Sequence, residues 1–168
     1  MTRYTRKKSI RLQNYDYAQN GLYFVTICTK NSSYLFGRIE NGKMNLNSAG
    51  QMIERIWSEI PRFYDGFVLH EFVVMPNHFH GVIEIVLTSK IRTTTGRLSL
   101  QDVIHRFKTL TTRKYIAGVY NENWESFQKQ LWQRSYHEHV IRNEKSYDKI
   151  VEYVQTNPLK WVDDCYYD

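Results

Sequence analysis

A chain of 168 residues with 42% hydrophobic and 15% aromatic content can bury a core as one domain, which excludes a disordered protein. Its formal charge of +6 calls for an anionic partner, nucleic acid before membrane surface. Two cysteines, Cys28 and Cys165, exclude a disulfide framework or zinc knuckle, and no apolar run reaches membrane-spanning length.

The chain opens on a basic arm, residues 1–11, where Arg3, Arg6, Lys7, Lys8 and Arg11 stand with no acid among them. No hydrophobic signal core follows, so a cytoplasmic protein is expected. Leu22–Cys28, rich in β-branched and aromatic residues, predicts a first strand. Asn41-Gly42 predicts a small hairpin between Tyr34–Ile39 and Lys43–Leu46. Ser48 as N-cap, with Gln51 three residues on, predicts a helix whose core side is Met52, Ile53, Ile56, Trp57 and Ile60. Pro61 or Asp65-Gly66 ends it. Phe67–Met75 and His78–Leu87 then read as two strands, antiparallel across the turn Pro76-Asn77.

A polar, basic stretch, 88–97, is expected to be a flexible loop. Ser99 and Asp102 form a capping box for a helix with Leu100, Val103, Ile104, Phe107 and Leu110 on one face, expected to close at Gly118. Leu131–Arg142 predicts a fourth strand. Asn143 caps a last helix, 143–158, with Tyr147, Ile150, Val151 and Val154 on its core side and Pro158 at its stop. Within this order lies βαββαβ. The expected fold is therefore α+β and ferredoxin-like, one domain over 1–168, with a four-stranded antiparallel sheet, helices on one face and the other face open.

Side chains two apart on a strand share a face, so His78 and His80 project together while Phe79, Ile83 and Ile85 point to the core. Neutral imidazoles so placed suit a divalent metal, although ordinary sheet histidines also occur at this spacing. Glu84 shares their face and could support the ligands from behind, or be a surface residue. His137 and His139 form a second pair; His137 reads as solvated, and His139 as either solvated or close to metal or DNA. Lys90, Arg92, Arg97, Arg106, Lys108, Arg113 and Lys114 face Asp102 alone over 90–114, and with the N-terminal arm they suggest a phosphate-binding track. Tyr115 falls about 70° from the centre of its helix's apolar stripe. Beside Arg113 and Lys114, a phenol there suits attack on a phosphodiester.

VVMPNHFHGVIEI, the basic helix SLQDVIHRFKTLTTRKY and LWQRSYHEHVIRNEKSYDKIVEYVQTNP together resemble the single-tyrosine HUH transposases. The opening SIRLQNYDYAQNGLYFVTICT resembles their REP-associated tyrosine transposase branch, so the likeness runs from about Ser9 to Pro158. The resemblance implies a ferredoxin-like nuclease that acts on single-stranded DNA beside a hairpin. It implies Mg²⁺ or Mn²⁺ held by His78 and His80, with Tyr115 as the nucleophile that leaves a 5′-phosphotyrosine and a free 3′-OH. Many relatives carry Gln or Asn one turn after the tyrosine as a third ligand. Val119 stands there here and cannot bind metal. Asn121 or Glu122 could substitute if the chain bends at Gly118, or water and phosphate oxygens could complete the shell.

Two other readings stay open. A non-catalytic, domesticated single-strand-binding domain needs neither the metal nor Tyr115. A hydrolase using a histidine-bound water would survive loss of the tyrosine. Both a monomer and a homodimer exchanging the tyrosine helix fit the sequence.

Overall fold

Residues 16–86 and 98–167 are described, from a computed structural model. The basic-arm cations Arg3, Arg6, Lys7, Lys8 and Arg11, and the loop cations Lys90, Arg92 and Arg97, lie outside the described residues.

The strands are β1 (Gly21–Cys28), β2 (Gly37–Glu40), β3 (Lys43–Leu46), β4 (Phe67–Val74), β5 (His78–Ile85) and β6 (His137–Ile141). The helices are α1 (Ser48–Ser58), α2 (Ile60–Phe63), α3 (Leu100–Glu122) and α4 (Glu144–Thr156). A four-stranded antiparallel sheet has the order β4-β5-β1-β6, and β2-β3 forms the small hairpin beside it. This is the expected ferredoxin-like arrangement.

Period-2 patterning sorts the sheet into two faces. Tyr23, Val25 and Ile27 of β1 and Phe79, Ile83 and Ile85 of β5 form one buried face. It packs on Met52, Ile53 and Trp57 of α1 and on Val103, Ile104 and Phe107 of α3. The Trp57 ring lies 4.6 Å from Phe79 and 5.2 Å from Phe107. Gly81 leaves the gap that Trp57 fills, since a Cβ there would sit 2.8 Å from the indole.

The second face is not open. Phe24, Thr26, His78 and His80 point to it, and Tyr153 of α4 packs on Phe24 (6.1 Å) and His80 (5.2 Å). An amphipathic helix must bury its apolar side. With α1 and α3 on the first face, α4 and the segment after it cover the second.

Three local expectations shift. Asn47, not Ser48, caps α1, its side chain accepting from the Gly50 N–H. Gly118 does not close α3, which runs to Glu122 and ends on Asn123 in the left-handed region. Gly118 instead makes room for the Trp124 indole, which occupies the place of a Cβ. The fourth strand is only His137–Ile141, because 129–136 folds past the end of β1, with Gln133 N–H donating to the Cys28 carbonyl at 2.9 Å.

Candidate functional site

β5 starts directly after the Pro76-Asn77 turn, so His78 and His80 stand side by side on the α4 face, ring centroids 4.5 Å apart. His78 Nδ1 lies 2.8 Å from Asn77 Oδ1, an acceptor, so the proton sits on Nδ1 and Nε2 presents its lone pair. His80 Nδ1 faces Thr26 Oγ1 at 2.8 Å, and its Nε2 faces the Tyr153 hydroxyl at 3.2 Å. Burial lowers the proton affinity of both rings. His78 falls to about 4, with Asp164 pulling the other way, and His80 falls well below the usual histidine range, pushed further by His78. Both imidazoles are therefore neutral near pH 7, the state a metal requires.

The other donors come from the end of the chain. Tyr153 and Asn157 are four residues apart on α4 and its C-cap, so they share a face. Beyond Pro158 a short 3-10 turn, Trp161–Asp163, brings the chain back and delivers Asp164. Asp164 Oδ2 accepts from Asn157 Nδ2 at 2.6 Å and from the Tyr153 hydroxyl at 3.3 Å, while Oδ1 accepts from the Tyr166 N–H at 2.8 Å. Donor atoms of His78, His80 and Asp164 all lie within 4.8 Å of one another.

The polar atoms left over in this cluster suit a cation. His78 Nε2 and Asn157 Oδ1 are buried without a hydrogen-bond partner. Both are lone-pair acceptors, since Asn157 commits its NH₂ to Asp164. Each such atom costs about 1–3 kcal/mol, and native interiors keep few of them. A cation would turn both into ligands. Two imidazoles, a carboxylate and an amide oxygen are a donor set that suits a divalent ion.

The site is lidded. His78 is 0% and His80 1% exposed. The Tyr166 ring lies 4.6 Å from His78, and its carbonyl accepts from Asn77 Nδ2 at 2.7 Å. Tyr166→Ala is therefore expected to raise the rate of diethyl pyrocarbonate modification at His78 several-fold, read by peptide mass spectrometry. An unchanged rate would mean that Tyr166 does not control access.

Tyr115 is not brought to the histidines. It is wholly buried, with its hydroxyl donating to the Glu125 carbonyl at 2.9 Å and its ring against Phe36, Trp124 and Phe127. Burial, followed by the nearby Glu125, pushes its phenol up to about 12. It looked like a flank residue because the apolar stripe of α3 is wider than helix periodicity alone indicates. The segment after Asn123 folds back and covers that flank.

Asn121 and Glu122 are exposed at the end of α3, and neither belongs to the cluster around the histidine pair. His139 is exposed on the edge strand β6, opposite Phe24. Glu84 is engaged by His70 (3.0 Å), whose other nitrogen lies 3.1 Å from the Tyr147 hydroxyl, so this trio ties α4 to the sheet. Of the basic residues on α3, Arg106 lies over the Tyr64 ring at 5.9 Å, and Arg113 and Lys114 are exposed. Lys108 is held inward by carbonyls of the 133–135 segment.

Sequence reasoning missed Tyr153, Asn157 and Asp164. The signal for the first two was present: a tyrosine with an asparagine one turn later occurs at Tyr153 and fails at Tyr115, where Val119 follows.

A family model described as "Transposase IS200 like" matches residues 20–157. An uncharacterized protein of Haemophilus influenzae is 41% identical, across 96% of this chain and 93% of its own length. Among solved structures, a REP-associated tyrosine transposase bound to a REP hairpin superposes with a TM-score of 0.54 at 22% identity, covering 96% of this chain and 74% of the other. A Deinococcus radiodurans protein described as a transposase gives 0.51 at 17% identity, covering 86% and 95%. These two likenesses concern the fold. No helix among the described residues is long and apolar enough to cross a membrane.

Proposed function

This chain belongs to the IS200-like transposase family, and from that membership we propose that it cuts and rejoins single-stranded DNA with Tyr153 as its nucleophile. One observation carries this reading: among the described residues, Tyr153 is the tyrosine whose hydroxyl meets a nitrogen of the histidine pair, 3.2 Å from His80 Nε2 and 3.3 Å from Asp164 Oδ2. At 37% exposure its ring also reaches the surface, as a nucleophile for a large substrate must.

In the proposed step the Tyr153 oxygen attacks the scissile phosphorus while its proton passes to Asp164 Oδ2. The bond from phosphorus to the 3′-oxygen breaks, and that oxygen takes up the proton from Asp164 by relay through water, which restores the carboxylate. The products are a 5′-phosphotyrosine and a free 3′-OH, and attack by another 3′-OH reverses the step and joins strands. His78, His80 and Asp164, with Asn157 Oδ1, would hold a divalent ion, Mg²⁺ or Mn²⁺. Once bound, it supplies Lewis acidity to the phosphate and offsets the negative field of Asp164 on the phenol. Burial first, and Asp164 second, raise the Tyr153 proton affinity in the protein alone. The Asn77 amide oxygen fixes the His78 tautomer, Thr26 holds the His80 ring by its Nδ1, and the clamp from His70 to Tyr147 holds α4 against the strand.

The proposed substrate is single-stranded DNA beside a hairpin, by analogy with the hairpin held by the solved relative. The side chains invoked come together within one chain, which suits a monomer, and a homodimer that exchanges a helix between its chains would rebuild the same set. The test is a denaturing gel of the protein with labelled single-stranded DNA from its gene's flanks, with and without Mn²⁺ or Mg²⁺. A metal-dependent protein-linked band is expected. Tight binding with no such band would instead assign the chain to the non-catalytic binding domains.

A further inference from the structure

A groove of about 570 Å³ lies along the outer flank of α3, walled on its far side by 129–136. Its rim carries three exposed cations, Arg113, Lys129 and Arg134, and no carboxylate lines it. Trp132 and Tyr136 line its floor, at 4% and 8% exposure. Their faces are covered, so the groove offers no platform for stacking bases.

The basic loop is fixed in place. Lys108 Nζ donates to the Gln133 carbonyl at 2.6 Å and to that of Arg134 at 3.2 Å. The Trp132 indole donates to Thr111 Oγ1 at 2.9 Å. Lys108 is thus committed to the protein's own backbone, and the rim cations remain for a ligand. The loop also leads to the functional site, because Gln133 N–H donates to the carbonyl of Cys28, the residue paired with His78 across the sheet.

We propose that this groove binds the phosphate backbone of a DNA strand leading to or from the histidine site, through Arg113, Lys129 and Arg134 and without regard to base sequence. Charge complementarity selects the ligand. A groove with three cations and no anion fits a polyanion with regularly spaced charges, and phosphate contacts position a strand without reading it. The inference rests on the DNA-processing reading above for its ligand, but on none of that reading's chemistry.

The test compares the full chain with the variant carrying Arg113→Ala, Lys129→Ala and Arg134→Ala. Both are titrated with dye-labelled single-stranded DNA from about 0.05 to 0.2 M salt, where each single-strand phosphate contact contributes about 0.7 to the slope of log K against log salt. The triple variant is expected to lose about 2 from that slope and about a hundredfold in affinity near 0.1 M salt. Arg113→Lys with Arg134→Lys keeps the charges and is expected to keep the slope, which a folding defect would not allow. At saturating DNA the triple variant is expected still to form the covalent adduct. An unchanged slope overturns the groove even if the adduct forms, whereas a reduced slope with no adduct in either protein overturns only the chemistry. Capture of a poly-glutamate peptide through the same three residues, with the DNA slope unchanged, would assign the groove to an acidic protein and also overturn the proposal.

Discussion

Tyr153→Phe is expected to bind single-stranded DNA like the unaltered chain and to form no covalent adduct, whereas Tyr115→Phe is expected to keep forming it. The substitution at 153 removes one oxygen. That oxygen is the one that hydrogen-bonds His80 Nε2 and Asp164, so the ring stays on Phe24 while the nucleophile disappears. Loss of a covalent nucleophile lowers turnover on the order of 10³-fold or more. At Tyr115 the same change removes a hydrogen bond to the Glu125 carbonyl inside the core. That costs about 1 kcal/mol of stability, or roughly 2–4 °C in Tm for a domain of this size. The pair of variants separates chemistry from packing on one gel and one melting curve. An adduct persisting in Tyr153→Phe and absent in a folded Tyr115→Phe would reverse the assignment.

The fold was legible because its signals are local and repeated. Alternation in Leu22–Cys28 and His78–Ile85, the Ser99–Asp102 box and the helical spacing around Trp57 each specify an element, and βαββαβ leaves few ways to pair the strands. The histidine pair was legible for the same reason, since a strand's period fixes which side chains share a face. The rest of the site depends on where the chain goes after the sheet is complete. Nothing local in Glu144–Thr156 says that α4 lies across Phe24 and His80, and Asp164 arrives only because the backbone turns at Trp161–Asp163. Charge counts do not reveal that Lys108 bonds carbonyls of the 133–135 segment or that Tyr115 is roofed by residues that follow the helix.

His78→Ala and His80→Ala are each expected to remove most of the rise in Tm that Mn²⁺ gives the unaltered chain. A ligand held a hundredfold above its Kd adds about 2.7 kcal/mol to the stability of the folded state. Loss of one of two imidazoles weakens binding by about 10²-fold or more, judging from the 10- to 100-fold cost of removing even a supporting partner. His78 Nε2 and Asn157 Oδ1 are buried acceptors without partners, so His78→Ala removes one uncompensated group even as it leaves a cavity. The variant's metal-free melting point should therefore fall less than that of a comparable core truncation, while most of its metal response is lost. Asn121→Ala and Glu122→Ala stand outside the cluster and are expected to keep the full response. If both histidine variants gained as much stability from Mn²⁺ as the unaltered chain, the ion would be bound elsewhere. The buried lone pairs on His78 Nε2 and Asn157 Oδ1 would then need another partner.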